Sequence, residues 1–169
     1  MQPTFYKVEL IGSGFLAIMA RPRASDWAEE EFAGFADAGI RRIVSLLEVH
    51  EEFVLGLEQE AQLCANANIA YASFPIRDRG VPSSPRNLSK LSKETYLQCA
   101  GGDSTAIHCR TGIGRSSLVA AAVLLHAGLT VDDAFARIRK ARGLEVPDTP
   151  EQAQWLRDNS RIVSEGRCA

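Results

Sequence analysis

The chain alternates between short continuous apolar runs and longer stretches whose apolar residues recur at helical spacing. Val8 to Ile11 and Phe15 to Met19 read as two strands, with Gly12-Ser13-Gly14 as the turn of a hairpin. Ser25 or Asp26 then caps a helix whose inner face is Ala28, Phe32, Phe35 and Ala36, and Gly39 stops it. Ile43 to Leu47 reads as a buried strand. The spacing of Val54, Leu57, Ala61 and Cys64 predicts one long helix from Glu51 to Ala67, followed by a strand from Ile69 to Ile76.

An arginine- and proline-rich loop, Arg77 to Ser83, leads to Ser84 and Pro85, the signature of a helix start. That helix ends near Gly101-Gly102. Thr105 to His108 is a short strand, and Ser116 to His126 is apolar almost all round, as a helix buried at the centre should be. Thr130 caps a further helix with Val131, Ala134, Phe135 and Ile138 facing in, and Thr149-Pro150 opens the last one around Trp155 and Leu156. Strands alternating with helices imply an α/β fold with a central, mostly parallel sheet flanked by helices. Ligands of such sheets bind beyond the carboxyl ends of the strands. The loops 77–83 and 109–115 both leave strand ends there.

Composition narrows the function classes. The 169 residues, 46% hydrophobic and 24% charged, fit one globular domain spanning 1–169. A net charge of −2 argues against a nucleic-acid partner, which leaves a basic footprint. The longest apolar run, Val119 to Leu125, is too short to span a bilayer. Lys7, Glu9, Gly12 and Gly14 interrupt the N-terminal stretch, so no secretory signal is read and a cytoplasmic location is expected. Cys64, Cys99, Cys109 and Cys168 lack paired spacing and read as free thiols.

The chemistry concentrates in His108-Cys109-Arg110-Thr111-Gly112-Ile113-Gly114-Arg115-Ser116. A cysteine ends a strand, five residues including two glycines follow, and an arginine starts the buried helix. Glycines let the backbone curl so that successive N–H groups point inward. Such a nest beside a helix N-terminus binds an anion, and its positive field favours a thiolate. Arg115 can grip two oxygens of a tetrahedral oxyanion. One loop thus supplies a nucleophile, a cradle and a charge clamp, which suits phosphoryl transfer.

This segment closely resembles the phosphate-binding loop of cysteine-dependent protein tyrosine phosphatases, and the small size of the chain looks most like their dual-specificity branch. The resemblance implies a cysteinyl-phosphate mechanism without a metal or cofactor. Cys109 is then the nucleophile, and Arg115 binds the phosphate and transition state. The backbone of Arg110, Thr111, Gly112, Ile113, Gly114 and Arg115 lines the cradle. His108 sets the environment of the cysteine, or is simply a satisfied core histidine, and Ser116 stabilises the departing thiolate. The family's general acid is an aspartate on a mobile loop, and Asp78, 31 positions before Cys109, matches it. Arg77 and Arg79 flank Asp78 and favour its ionised form, so it is expected to be a poor acid until phosphate binds. The other reading of Asp78 is that it pairs with an arginine and orders the loop.

A glutamine near the start of the last helix positions water in many relatives. Asp148 stands at the first position of that pattern, whereas Gln152 is present and also completes a capping box with Thr149. The loop holds Arg110 and no lysine, which leans away from inositol lipids, and Arg77, Arg79 and Arg110 make a locally basic mouth; Arg86 reads as a surface charge. The expected substrate is a phosphorylated protein or peptide, with phosphotyrosine first and phosphoserine or phosphothreonine beside it. Alternatives are an RNA 5′-phosphate, inositol phosphate or small ester, arsenate reductase or sulfur transferase chemistry on the same loop, and a phosphate-binding module without turnover. His50 and His126 lack metal-ligand spacing and read as ordinary. Glu29 to Glu31 reads as a solvated helix face.

Overall fold

The structure is a computed structural model in which residues 2–166 are described; Cys168 lies outside them. Strands β1 (Tyr6–Ile11) and β2 (Gly14–Met19) form the antiparallel hairpin, and β3 (Arg42–Ser45), β4 (Ala70–Ser73) and β5 (Thr105–His108) complete a five-stranded sheet in the order β1-β2-β5-β3-β4. The pairs β2·β5, β5·β3 and β3·β4 are parallel.

Alternate residues of the central strands face opposite sides, as the two-residue period of a strand requires. Leu16, Ile18, Val44 and Ile107 join one hydrophobic cluster; Ala17, Met19, Ile43 and Ala106 join the other. The second cluster is closed by Phe32 and Phe35 of α1 (Ala28–Asp37) and by Cys64. The first is filled by α5 (Arg115–His126), whose every residue is buried beneath α4 (Pro85–Ala100), α6 (Val131–Arg142) and α7 (Pro150–Val163). Truncating a core residue such as Leu118 to alanine costs about 2–5 kcal/mol. Among the described residues no helix is long and apolar enough to cross a membrane.

The caps at Ser84, Thr130 and Thr149 form as expected, each hydroxyl accepting a backbone N–H three residues on. Three expectations need correction. The helix expected over 51–67 is two helices, α2 (Val49–Leu55) and α3 (Glu60–Asn66). Gly56 takes the left-handed conformation with φ 69° and ends the first. Leu57 and Cys64 are buried, but Val54 is 70% exposed and Ala61 also faces solvent. Neither Ser25 nor Asp26 caps α1: Trp27 precedes it without a side-chain cap, while Ser25 O closes a turn on Ala28 N. The strand expected over 69–76 is regular only from Ala70 to Ser73, although Phe74 N and Ile76 N still donate to the Ser45 and Leu46 carbonyls, and it is half exposed because it lies at an edge of the sheet.

The register brings the site together. Met19 and Ser45 both pair with His108, and Ser45 pairs with Ser73, so the parallel strands end in one row. The segments following β4 and β5 leave from that row.

Candidate active site

Cys109 follows the last residue of β5 and is 2% exposed. The loop beyond it curls tightly because two glycines permit it. Gly112 has φ +71°, and a Cβ there would lie 2.6 Å from the Met19 carbonyl carbon. A Cβ on Gly114 would lie 2.6 Å from Asp148 Cβ. Gly114 stands at the N-cap of α5 and supplies no side-chain cap, so the first N–H groups of a fully buried helix are left to an anion. Cys109 Sγ and Ser116 Oγ are 3.4 Å apart, within hydrogen-bonding distance.

Arg115 is buried and is held from two sides, by α2 and by the segment after β4. Its Nη1 donates to Glu51 Oε2 at 2.7 Å and to the Ile76 carbonyl at 2.9 Å. Its Nη2 donates to Glu51 Oε1 at 2.9 Å and to Asp78 Oδ1 at 3.1 Å. Burial pushes the Glu51 carboxyl up, but hydrogen bonds from Arg115 and the backbone near Glu48 outweigh it and hold Glu51 below the usual carboxylate range. Burial also opposes the charge of Arg115; Glu51, Cys109 and Asp78 reverse that and raise it above its ordinary value.

Asp78 is 51% exposed, on the loop after β4, and Arg77 and Arg79 around it point to solvent. The arginine that Asp78 meets is therefore Arg115 of the 109–115 loop, so the general-acid candidate accepts from the phosphate-clamp candidate, on the same guanidinium nitrogen that donates to Glu51. Arg110 and Thr111 are exposed at the rim, Ile113 packs against the core, and Arg86 is a surface charge.

Gln152 is buried. Its Oε1 accepts from Asp148 N and Thr149 N, both at 3.1 Å, and its Nε2 donates to the Gly80 carbonyl at 3.1 Å. The capping box is formed, and the same side chain ties α7 to the Asp78 loop.

His108 is fully buried, its Nε2 2.7 Å from Glu60 Oε1 and its Nδ1 3.2 Å from the Cys109 carbonyl. Cys64 and Cys99 are buried free thiols, and burial pushes both up, Cys64 to about 12. His126 is a core histidine against Ser92, and His50 is exposed. Glu29 and Glu30 are solvated, but Glu31 accepts a hydrogen bond from Arg23 N.

Three contributors were missed from the sequence: Glu51, Glu60 and Arg142. Arg142 donates to the Gly112 and Thr111 carbonyls at 3.2 and 3.3 Å and lies over the Tyr6 ring, bracing the loop from α6. Gly56 was the available signal for the two glutamates. Read as a helix stop, it separates Glu51 from Glu60, which a continuous helix would place on opposite faces.

A family model described as "Polymorphic toxin system, DSP-PTPase phosphatase" matches residues 17–129, a span holding Asp78 and the entire 108–116 segment. The bovine (Bos taurus) protein tyrosine phosphatase domain-containing protein 1 is 31% identical over 137 residues, which is 74% of this chain; the chain spans only 17% of that relative's length. Among solved structures, a kinase associated phosphatase with its catalytic cysteine replaced by serine superposes with TM-score 0.86 at 22% identity, covering 99% of both chains. The active form of Tk-PTP superposes with TM-score 0.77 at 24% identity, covering 98% of this chain and 99% of its own. PTPMT1 in complex with PI(5)P does so with TM-score 0.76 at 19% identity, covering 95% and 96%. At these identities the structures speak for the α/β fold alone.

Proposed function

Because this chain belongs to the DSP-PTPase phosphatase family, the dual-specificity-like part of the cysteine-dependent tyrosine phosphatase superfamily, we propose that it removes phosphate from phosphotyrosine, and from phosphoserine and phosphothreonine, in proteins or peptides. The observation that carries the reading is the junction at Arg115, where the candidate clamp meets the candidate acid 3.1 Å away beside Cys109.

The first step is an in-line displacement. The Cys109 thiolate attacks phosphorus as the bond to the leaving oxygen breaks. Inward N–H groups of the loop and the Arg115 guanidinium take up the charge on the equatorial oxygens. A phosphate oxygen competes with Asp78 for Arg115 Nη2, so binding frees the carboxylate, beside the phosphate charge, to take up a proton from solvent and pass it to the leaving oxygen. In the second step water attacks the cysteinyl-phosphate, Asp78 accepts its proton, and sulfur leaves as thiolate with Ser116 Oγ–H donating to it. Phosphate is the product and the charge balance is restored.

Three features support protein substrates. The loop interior carries no lysine. The rim is arginine-rich at Arg77, Arg79 and Arg110, which steers anionic segments. No segment matches the aromatic loop that deepens the cleft of tyrosine-specific relatives, which favours a shallow pocket open to three phosphoresidues. The test is kcat/KM across phosphotyrosine and phosphothreonine peptides, inositol phosphates and RNA 5′-phosphates. Phosphopeptides are expected to lead by tenfold or more. Preference for an inositol phosphate or RNA end overturns the substrate assignment. Turnover that requires an added thiol partner overturns the phosphatase mechanism in favour of arsenate reductase chemistry.

A further inference from the structure

Behind Cys109 lies a second acid–base pair that the mechanism above leaves unused. The ring of His108 has an acceptor oxygen opposite each nitrogen: Glu60 Oε1 at 2.7 Å from Nε2 and the Cys109 carbonyl at 3.2 Å from Nδ1. A neutral imidazole has one N–H and can satisfy only one of them. A carbonyl cannot donate, so Nδ1 must carry a proton. The remaining proton lies between Nε2 and Glu60, in a fully buried contact.

We propose that Glu60 is a positioning residue that holds His108 as an imidazolium, locking the Cys109 carbonyl and setting a positive charge behind the sulfur. The inference rests on the cysteine-phosphatase reading and adds to it the group that prepares the nucleophile from the rear.

Packed around the pair are Glu52 of α2, Cys64 of α3 and Tyr71 of β4, all acids, while the flanking strand residues Met19 and Ser45 do not titrate. Burial and then the Glu60 charge push the Cys64 thiol and the Tyr71 hydroxyl each up to about 12, and burial with Glu60 also raises Glu52. These neighbours therefore offer Glu60 no cation. Glu60 Oε2 is buried without a hydrogen-bond partner among the described residues, so His108 is the partner through which the carboxylate is compensated. The break between α2 and α3 is what turns Glu60 inward, and Glu60 has no exposed role to explain its place there.

The experiment needs no turnover. In protein labelled with 15N-histidine, both ring nitrogens of His108 are expected to carry protons at pH 7. In Glu60→Gln, which keeps the side-chain size, one is expected to lose its proton. Iodoacetate labelling of the Cys109 peptide at pH 6, followed by mass spectrometry, is expected to slow about tenfold in Glu60→Gln, the effect of losing a nearby cation on a thiolate. A wild-type His108 with one bare nitrogen at pH 7 overturns the inference, and it does so even if the variant fails to fold. Labelling of Glu60→Gln at the wild-type rate overturns it equally. Wild-type Cys109 labelled no faster than an ordinary thiol instead overturns the nucleophile assignment beneath it, so the two failures are distinct.

Discussion

Glu51 and Arg115 face each other through two charge-assisted hydrogen bonds, 2.7 and 2.9 Å long, with both side chains buried. A guanidinium is flexible when free. Here its plane is fixed from behind before any phosphate arrives, so little ordering remains to be done on binding. α2 is thus part of the site, although it contributes no group that would touch substrate.

Glu51→Gln is expected to lower stability by about 3 kcal/mol or more at pH 7, because it leaves a buried charge short of its partner. In a chain of this size that is roughly 6–12 °C in Tm. The sign of the pH dependence follows from the lowered pKa of Glu51. A depressed carboxyl adds stability above its ordinary value, near 4.5, and that stability is lost as pH falls through the lower, folded-state value. Thermal melts from pH 7 down to 3 should therefore show the gap between wild type and variant open at neutral pH and closing below about 4.5. A gap that stays constant across the range contradicts the ion-pair account.

Asp78→Asn is expected to reduce kcat by roughly 10²–10⁴-fold for esters of poor leaving groups. The effect should shrink as the leaving group becomes a weaker base, because it then needs no proton. Rates for a series of aryl phosphates check this. If Asp78 only orders its loop through Arg115, the loss is uniform across the series.

The two halves of the site were not equally legible. The 108–116 loop could be read as a candidate because its tight backbone calls for glycines and phosphoryl transfer would call for a cysteine and an arginine at the places of Cys109 and Arg115. Asp78 became a candidate through the resemblance, yet its partner could not be read: the flanking Arg77 and Arg79 are closer in the chain, whereas the partner is Arg115. Glu51 and Glu60 were hidden by the apolar spacing of Val54, Leu57, Ala61 and Cys64, which mimics one helix. Half of that stripe is exposed, so periodicity alone misjudged the helix face. Arg142 was invisible because only the docking of α6 brings it to the loop carbonyls.

Ser116→Ala should leave the first chemical step nearly intact and slow the second. A hydrogen bond to a charged group contributes about 1.5–3 kcal/mol, so release of the thiolate slows about 10–150-fold. Stopped-flow assays with p-nitrophenyl phosphate are expected to show a burst that wild type lacks, as the cysteinyl-phosphate accumulates. A variant with slow turnover and no burst places the role of Ser116 elsewhere.

Gly112→Ala combines a left-handed backbone with a Cβ driven into the Met19 carbonyl region at 2.6 Å. The conformational part alone costs about 1–3 kcal/mol, and the collision with backbone cannot be relieved by a rotamer change. Vanadate affinity is expected to fall with stability, because the cradle and the end of β2 must separate. Wild-type vanadate affinity would show that the loop tolerates the shift and that its N–H groups are less constrained than described.

Gln152 has two candidate roles that different substitutions separate. The capping role predicts that Gln152→Ala loses the acceptor for Asp148 N and Thr149 N, at a cost of about 0.5–2 kcal/mol, and frees Gly80 from its tether. Gln152→Glu keeps the acceptor but removes the N–H to the Gly80 carbonyl, so the helix should survive while the Asp78 loop loosens. If structure is the whole role, both variants change Tm with little change in the ratio of the two chemical steps. If the amide also orients water, Gln152→Ala accumulates cysteinyl-phosphate, visible as a burst, beyond anything its lower stability explains. The inward path of the side chain, wedged between the Asp148 segment and Gly80 with its amide committed at both ends, favours the first outcome: a melt shifted by a few degrees and no burst.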